Sequence, residues 1–249
     1  MADAEILGVR VHHVDRATLE KEILEEARNG QPKVFLYANV HAINTAQRDA
    51  RFRNILNRSS VTYCDGEGVR WGARLLGGHL PKRTALTTWV WDLCSLLQDH
   101  NLSAFFLGGS EEASAKACDV IRSRFPRLRI AGRHHGFFLR TGAENDAVIR
   151  AICSAAPDVL FVGFGIPIQE YWIEDNLARL KASVILSAGS MIEYVSGAKK
   201  AAPRWMANNG LEWFFRLLHE PRRLWRRYLI GNPLFLFRVI RQRLRSGRG

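Results

Sequence analysis

The sequence predicts an α/β protein in which helices cover both faces of a mostly parallel sheet, followed by a basic helical C-terminal appendage. Apolar runs of strand length alternate with longer segments of helical periodicity through the first 190 residues, a pattern typical of consecutive βα units. The strand pattern ends near Pro203, where arginine and aromatic residues become frequent. We therefore expect an α/β domain over residues 1–200 and an appendage over residues 201–249.

The first helix is predicted over the residues that follow Asp15. Asp15 is a suitable N-cap, Leu19, Ile23 and Ala27 recur with helical spacing, and Gly30 is a suitable C-terminal stop. The remaining elements continue the alternation of strand and helix. Strands are predicted over residues 33–38, 61–63, 104–107, 128–131, 159–162 and 184–186, and helices over residues 41–57 and 68–76 and from Glu111, Ala143 and Pro167 onward, with three short helices in the appendage.

The composition is that of an ordinary globular protein. Of 249 residues, 47% are hydrophobic and 24% charged, which excludes a disordered chain, a collagen-like repeat and a disulfide-stapled miniprotein. The cysteines form no C-x-x-C pair, which argues against a zinc ribbon or a redox pair and favours a reducing compartment. The acidic start fits neither a secretory nor a mitochondrial leader, so we expect a cytoplasmic protein.

The net charge of +12 is concentrated in the appendage. From Arg204 onward, 11 basic residues stand against Glu212 and Glu220, so this part carries +9, together with eight of the 25 aromatic residues. Such a surface suits phosphate groups of anionic lipid or of nucleic acid. We expect the appendage to bind a membrane and no nucleic acid, because no motif that reads nucleic acid is visible. The apolar stretch from Tyr228 to Phe237 is shorter than the ~20 residues that span a bilayer, so association would be peripheral.

Polar residues and glycines follow four of the predicted strands, where an open α/β sheet holds its ligand. A tight turn explains any one of these glycines, but the agreement among four strand ends predicts a binding site at this edge of the sheet. The residues are Asn39, then Asp65 and Gly66, then Gly108 and Gly109, then Gly163, Gly165, Gln169 and Glu170.

Two of these groups have more than one interpretation. Asp65 lies in the run CDGEG, where it is either the cap of a turn or helix or a general base. The run GGS from Gly108 offers N–H groups to an anion at a helix start, but it is neither a G-x-G-x-x-G nor a Walker loop. The chain has no D-x-D triplet, and its histidines show no metal-ligand spacing. We therefore expect no metal and no cofactor.

Several ordered runs of the chain together extend over roughly residues 5–235. The longest are GFGIPIQE from Gly163, with Trp172, Ile173 and Asn176 after it, and GLEWFFRL from Gly210, with EPRR from Glu220 and RRY from Arg226. Three shorter runs are DGEG from Asp65, FLGGS from Phe106 and HGFF from His135. In these runs the chain resembles the WecG/TagA/CpsF glycosyltransferase family.

The resemblance implies a Rossmann-like enzyme that works at the inner face of a bacterial cell membrane. It would move a sugar from a UDP-sugar to a sugar carried by undecaprenyl diphosphate, with inversion and without a required metal, in surface polysaccharide synthesis. Residues 1–200 would bind the nucleotide sugar, and the appendage would bind the membrane and close the active site. A non-catalytic, membrane-anchored nucleotide or nucleotide-sugar binding protein stays open as the alternative, and a homo-oligomer also stays open.

The resemblance also implies roles for individual residues. Asp65, the aspartate of the Asp-Gly motif, would be the catalytic base, and Asn39, Arg83 and Gln169 fall on positions for the donor and its diphosphate. Without a metal clamp, arginines and backbone N–H groups must stabilise the leaving diphosphate. The other candidate substrate-binding residues are Gly66, Gly108, Gly109, Gly136, Gly163, Gly165 and Glu193 in the α/β domain and Arg216, Arg223 and Arg226 in the appendage.

Three departures from the family pattern bear on the donor sugar. Tyr37-Ala38 stands where the family usually has Thr-Pro, which changes the reach and shape of the hydroxyl nearest the donor sugar. The run RTALTT from Arg83 lacks a glycine and a carboxylate, and Ile192-Glu193 stands in place of a Phe-Asp pair. The donor sugar therefore stays open among an N-acetylmannosamine type, glucose or another neutral hexose, and a uronic acid.

Overall fold

The computed structural model describes residues 2–203, 205–206 and 210–246. Its strands are β1 (Ala4–Ile6), β2 (Val9–Val11), β3 (Lys33–Ala38), β4 (Val61–Cys64), β5 (Ser103–Gly108), β6 (Arg129–His134), β7 (Val159–Gly163) and β8 (Val184–Ser187). β1 and β2 form an antiparallel hairpin. The other six strands form one sheet in the order β4-β3-β8-β7-β5-β6, and all neighbouring pairs in it are parallel.

Helices cover both faces of this sheet and make up the C-terminal region. They are α1 (Arg16–Asn29), α2 (Val40–Ala46), α3 (Ala50–Arg58), α4 (Glu67–Leu75), α5 (Leu86–Asp99), α6 (Glu111–Arg124), α7 (Gly142–Ala155), α8 (Ile168–Asn176), α9 (Met191–Val195), α10 (Glu212–His219), α11 (Pro221–Trp225) and α12 (Gly231–Ser246). A 3-10 turn follows α8, and a π-helical turn over Arg226–Ile230 joins α11 to α12. The predicted α/β class, with a parallel sheet and a helical C-terminal region, is confirmed.

The strands are apolar on both faces because helices bury both faces. In β3, Phe35 packs into the cluster on one face and Leu36 into the cluster on the other. On the Phe35 face, the rings of Phe106 and Phe161 stack with their centroids 5.0 Å apart. Burying one such side chain fully stabilises the fold by ~1.5–3 kcal/mol. This double burial explains why the strands appear in the sequence as continuous apolar runs.

Helix α1 begins and ends as predicted. The Asp15 carboxylate accepts a hydrogen bond of 2.8 Å from the Thr18 N–H at the start, and Gly30 ends the helix in the left-handed conformation with a φ of 71°. Leu19 and Ile23 are fully buried. The apolar stripe read from the sequence is thus the face that packs on the sheet.

Helix α5 and the short helix α9 are not predicted from the sequence, and two further elements differ from the prediction. The helix expected over residues 41–57 is two helices, because Asp49 caps a new one at α3 by accepting from the Phe52 N–H at 3.0 Å. The β1–β2 hairpin is not predicted, because each strand has three residues and is too short for a visible alternation. Its turn residues Leu7 and Gly8 have positive φ angles of 53° and 75°, as in the tight turns that suit a hairpin.

The C-terminal helix α12 packs directly on the α/β domain. Phe235 and Val239 belong to the main core cluster, and a Cβ atom on Gly72 of α4 would lie only 2.7 Å from the Phe235 ring. The Asn44 amide donates to the Gly231 carbonyl oxygen at 2.7 Å. Close packing at Gly72 therefore brings α12 against α2 and α4, next to the end of β4.

Pro233 does not separate two of the three short helices predicted for the appendage. It lies in the first turn of α12, immediately after the π-helical turn in which the Gly231 N–H donates to the Arg226 carbonyl oxygen. A proline ring clashes with the carbonyl four residues earlier in an ordinary α-helix, and the wider π turn makes room for it. Two of the three predicted appendage helices are therefore continuous.

Candidate active site

Asn39 and Asp65 lie side by side at the carboxyl ends of β3 and β4. The last residues of these two strands are register partners in the sheet. The Asn39 side chain caps α2 by accepting a hydrogen bond of 3.0 Å from the Ala42 N–H. A Cβ atom on Gly66 would lie 3.5 Å from the Asn39 Cβ, so three of the predicted site residues meet at this edge of the sheet.

Two cavities open at this edge and share one wall. A cavity of about 450 Å³ lies between α4 and the C-terminal helices, and a second of about 300 Å³ lies over the ends of β3, β7 and β8. We call them the apolar cavity and the polar cavity. The residues that line both are Asn39, His41, Asp65, Arg216 and Arg227.

The apolar cavity takes its name from the aromatic and aliphatic groups of its wall. Trp71 and Gly72 of α4 face residues of the appendage across it. The appendage contributes Trp213, Tyr228, Pro233, Phe235 and Leu236. This cavity is a suitable site for an extended apolar group whose polar end reaches Asp65.

The wall of the polar cavity contains hydroxyl groups, arginines and glycine backbone. Its wall includes Tyr37 at the end of β3, Thr87 at the start of α5 and Gly165 after β7, and Arg223 from the appendage. Ser190 lies at the start of α9 and completes the wall beyond β8. Hydroxyl and N–H groups of this kind suit a sugar or a nucleotide.

A buried hydrogen-bonded group holds the floor of the polar cavity. The Gln169 carbonyl oxygen accepts from the N–H groups of Gly165 at 3.2 Å and Gly189 at 3.0 Å. Its amide nitrogen donates to the Tyr37 hydroxyl at 3.2 Å and to the Glu170 carboxyl at 2.7 Å. Gln169 and Glu170 have no exposed surface, and burial raises the pKa of Glu170 to about 8. Gln169 therefore shapes the cavity from below, and a direct contact with the donor stays a prediction.

Asp65 has the electrostatic environment of a base that works near neutral pH. Burial raises the pKa of Asp65 to about 7, and the Glu212 carboxylate adds to this rise. The guanidinium groups of Arg83, Arg216 and Arg227 oppose the rise. A carboxylate with a pKa near the working pH is well suited to take and release a proton.

Glu212 links two arginines at the apolar cavity. Its carboxylate lies 2.9 Å from an Arg83 nitrogen and also pairs with the Arg216 guanidinium. The loop that carries Arg83 is held beside Asp65, because the next N–H, that of Thr84, donates to the carbonyl oxygen of the last β4 residue at 2.8 Å. Neither Glu212 nor the neutral His41, whose pKa is lowered to about 4 by burial and by Arg227, is predicted as a site residue.

The three appendage arginines expected at the site lie in different surroundings. Arg216 lines both cavities, and Arg223 lines the polar cavity while pairing with Glu220 at 2.6 Å. Arg226 is exposed, lies over the Trp225 ring at 5.3 Å and lines neither cavity. Its neighbour Arg227 lines both instead. Whether Arg226 or Arg227 lines the cavities depends on the helical phase, and the π-helical turn changes that phase.

The glycines at the ends of β5, β6 and β7 pack against one another. Gly108 has a φ of 147°, and a Cβ atom there would lie 2.4 Å from the Gly163 carbonyl oxygen. The Gly136 N–H donates to the Gly109 carbonyl oxygen at 2.8 Å. Among these residues and Gly165, only Gly165 lines either cavity. Contact of the other glycines with substrate stays a prediction.

Glu193 lies on α9 outside both cavity walls. Its carboxylate is 3.7 Å from the Lys199 ammonium group, which also donates to the Ser190 hydroxyl at 3.2 Å. Ser190 lines the polar cavity. Glu193 is therefore linked to this cavity through Lys199 and Ser190. Its direct contact with a donor stays a prediction.

Apolar side chains are exposed along the appendage and on α4. Phe237 is 62% exposed and Leu244 is 63% exposed on α12, and Trp71 of α4 is 62% exposed at the apolar cavity. Arg241 and Arg245 are exposed on the same helix α12. Within the described part of the chain, no helix is long and apolar enough to cross a membrane.

The chain is similar to known proteins over nearly its whole length. The model of the glycosyl transferase WecG/TagA/CpsF family matches residues 4–249. Two relatives, from Staphylococcus aureus strains MW2 and NCTC 8325 / PS 47, are each 27% identical to it over 240 residues, which is 96% of this chain and 92% of theirs. Both are named N-acetylglucosaminyldiphosphoundecaprenol N-acetyl-beta-D-mannosaminyltransferase.

Proposed function

The chain belongs to the WecG/TagA/CpsF glycosyltransferase family, and on this premise we propose that it moves a sugar from a UDP-sugar to an undecaprenyl-diphosphate-linked sugar, with inversion and without a metal. It is a hexosyltransferase that acts on a lipid-diphosphate acceptor in bacterial surface polysaccharide synthesis. The donor, the inversion and the roles of the site residues are our proposal. The observation that carries it is the wall around Asp65 shared by the two cavities.

The two cavities divide the substrates between them. The donor sugar and its nucleoside lie in the polar cavity, whose hydroxyl and N–H groups suit a polar ligand. The donor diphosphate lies at the shared wall, within reach of Arg216 and, from the apolar cavity, of Arg83. The lipid part of the acceptor lies in the apolar cavity, where Trp71, Phe235 and Leu236 cover the first part of its chain. The hydroxyl of the acceptor sugar and the reacting carbon of the donor then meet at the shared wall, within reach of Asp65.

The transfer is a single displacement. The Asp65 carboxylate takes the proton of the acceptor hydroxyl while its oxygen attacks the anomeric carbon of the donor. The bond between that carbon and the diphosphate oxygen breaks, and UDP leaves with the electron pair. Arg83, Arg216 and Arg227, whose guanidinium groups interact electrostatically with Asp65, stabilise the negative charge of the leaving diphosphate. One displacement inverts the configuration at the anomeric carbon.

The appendage brings the site to the membrane that contains the acceptor. Exposed apolar residues and arginines alternate on α12, as in helices that lie in the interface of a bilayer. Each basic residue near an anionic surface contributes about 1 kcal/mol to binding. We therefore propose peripheral binding to the anionic inner face of the cell membrane, with residues 1–200 holding the donor and the appendage closing the site.

The test is a turnover assay with the full chain. The purified protein is incubated with UDP-linked N-acetylhexosamines, hexoses and uronic acids, each with a lipid-diphosphate sugar acceptor, and the release of UDP is followed. Release that depends on the acceptor with one donor supports the proposal. Binding of UDP without release with any donor would favour the alternative, a non-catalytic nucleotide-sugar binding protein.

A further inference from the structure

Resting on the proposed function, we propose that Glu212 is a positioning residue. It joins Arg83 of the α/β domain to Arg216 of the appendage beside Asp65, so that both guanidinium groups reach the leaving diphosphate together. Glu212 is thus more than a structural ion pair, because it assembles the cationic part of the site from two regions of the chain.

The geometry places one carboxylate between two guanidinium groups. One Glu212 oxygen is 2.9 Å from an Arg83 nitrogen, and the other oxygen pairs with Arg216. The exposed fractions of these side chains are 16% for Glu212, 17% for Arg83 and 24% for Arg216. Little water reaches the cluster, so the pairing is screened less than on an open surface.

One donor of the cluster is left for a ligand. The Arg216 Nε–H is buried and has no hydrogen-bond acceptor among the described residues. The guanidinium also lies 5.0 Å from the centroid of the Tyr194 ring, so Glu212 and Tyr194 hold it from two sides. A buried N–H without an acceptor is unfavourable, and a phosphate oxygen at the shared wall would satisfy it.

Glu212 also balances the charges that face Asp65. Three guanidinium groups face it, and Glu212 is the carboxylate that offsets them. Tyr37 of β3 and Tyr63 and Cys64 of β4 also interact with Asp65, and His41 lines the same shared wall. With Glu212 neutral, the three guanidinium groups would lower the pKa of Asp65 and weaken it as a base.

Two substitutions separate position from charge. Glu212→Gln keeps the shape and removes the charge, so we expect the acid limb of the kcat/KM profile to move down by about one pH unit. Glu212→Asp keeps the charge but is too short to pair with both arginines, so the limb should stay in place while kcat/KM falls roughly tenfold or more. The control is Glu174→Gln, since Glu174 pairs with Arg51 outside both cavities.

The carboxyl-carbon NMR signal of Asp65, assigned by its loss in Asp65→Asn, gives a second measurement that needs no turnover. We expect its titration to move to lower pH in Glu212→Gln and to stay in place in Glu174→Gln. Equal losses of kcat/KM at every pH in both Glu212 variants, with an unmoved Asp65 titration, would reduce Glu212 to a structural ion pair. A shift of the Asp65 titration in Glu212→Gln, in a protein that shows no turnover with any donor, would support the effect of Glu212 on Asp65 and contradict the proposed function.

Discussion

The Asp65 N–H donates a hydrogen bond of 2.9 Å to the Ala38 carbonyl oxygen. This bond continues the parallel pairing of β3 and β4 by one step beyond the last strand residue. The position of Asp65 is therefore fixed by its backbone, and its carboxylate is free to act toward the cavities. The side chain can be changed without loss of the local fold.

Asp65→Asn should reduce kcat by ~10²- to 10⁴-fold, because it removes the base at nearly constant shape. The fold depends on the backbone bond to Ala38, so the melting temperature and the affinity for UDP should stay close to those of the wild type. Steady-state kinetics and calorimetry measure these quantities. A variant that keeps more than about a tenth of the wild-type kcat would remove Asp65 from the role of base.

Arg83→Ala should weaken donor binding, because a guanidinium holds a diphosphate through several charge-assisted hydrogen bonds. We expect the KM of this variant for the UDP-sugar to rise about tenfold or more. The wild-type enzyme should keep its activity in EDTA. Arg226→Ala is the matched control, since Arg226 lines neither cavity. If EDTA abolished the wild-type activity and Mg²⁺ or Mn²⁺ restored it, a metal ion and not the arginines would hold the donor diphosphate.

Tyr37→Thr should change the choice of donor. The Tyr37 side chain lines the polar cavity, and its hydroxyl would lie 2.7 Å from a Cβ atom on Gly189, so the ring fills the floor. A shorter side chain opens space there, and the kcat/KM ratio of a UDP-linked 2-acetamido sugar to the plain hexose should rise. Tyr37→Phe keeps the volume and should leave that ratio near its wild-type value. The same rise in both variants would show that the ring does not select the donor.

Glu170→Gln should stabilise the protein increasingly as the pH rises. Burial raises the pKa of Glu170 from its ordinary 4.5 to about 8, so the fold favours the neutral acid. The stability that its proton contributes is complete below about pH 4.5 and is lost as the pH rises through 8. The difference in melting temperature between Glu170→Gln and wild type should therefore grow between these limits. Glu174→Gln, an exposed change on the same helix, should show no trend; a constant difference for Glu170→Gln would mean that Glu170 is ionised in the fold.

Removing two exposed apolar groups from α12 should weaken membrane binding without changing the chemistry. Phe237→Ser with Ile240→Ser should lower binding to anionic vesicles about tenfold or more, measured by co-sedimentation. Arg241→Gln with Arg245→Gln should reduce only the salt-dependent part. Both variants should turn over a water-soluble, short-chain acceptor at the wild-type rate. Unchanged vesicle binding in the apolar variant would place the membrane contact elsewhere.

The sheet and the candidate base could be predicted from the sequence, but the closing contacts could not. Buried parallel strands leave long apolar runs, and Asn39 and Asp65 stand directly after two of them. Arg227 and Glu212 reach the site only through the docking of α12 and α10, which depends on tertiary packing at Gly72 and on the phase change at the π-helical turn. No local periodicity contains that information.

The shared wall of the two cavities also predicts a kinetic scheme. In the proposed reaction, donor and acceptor occupy their cavities at the same time so that their reacting atoms meet beside Asp65. We therefore expect a ternary complex and no stored glycosyl group. Double-reciprocal plots at several acceptor concentrations should intersect rather than run parallel. Exchange of labelled UDP into the UDP-sugar should require the lipid product. We expect a lipid acceptor in the adjoining cavity to shield the activated donor from water during the transfer.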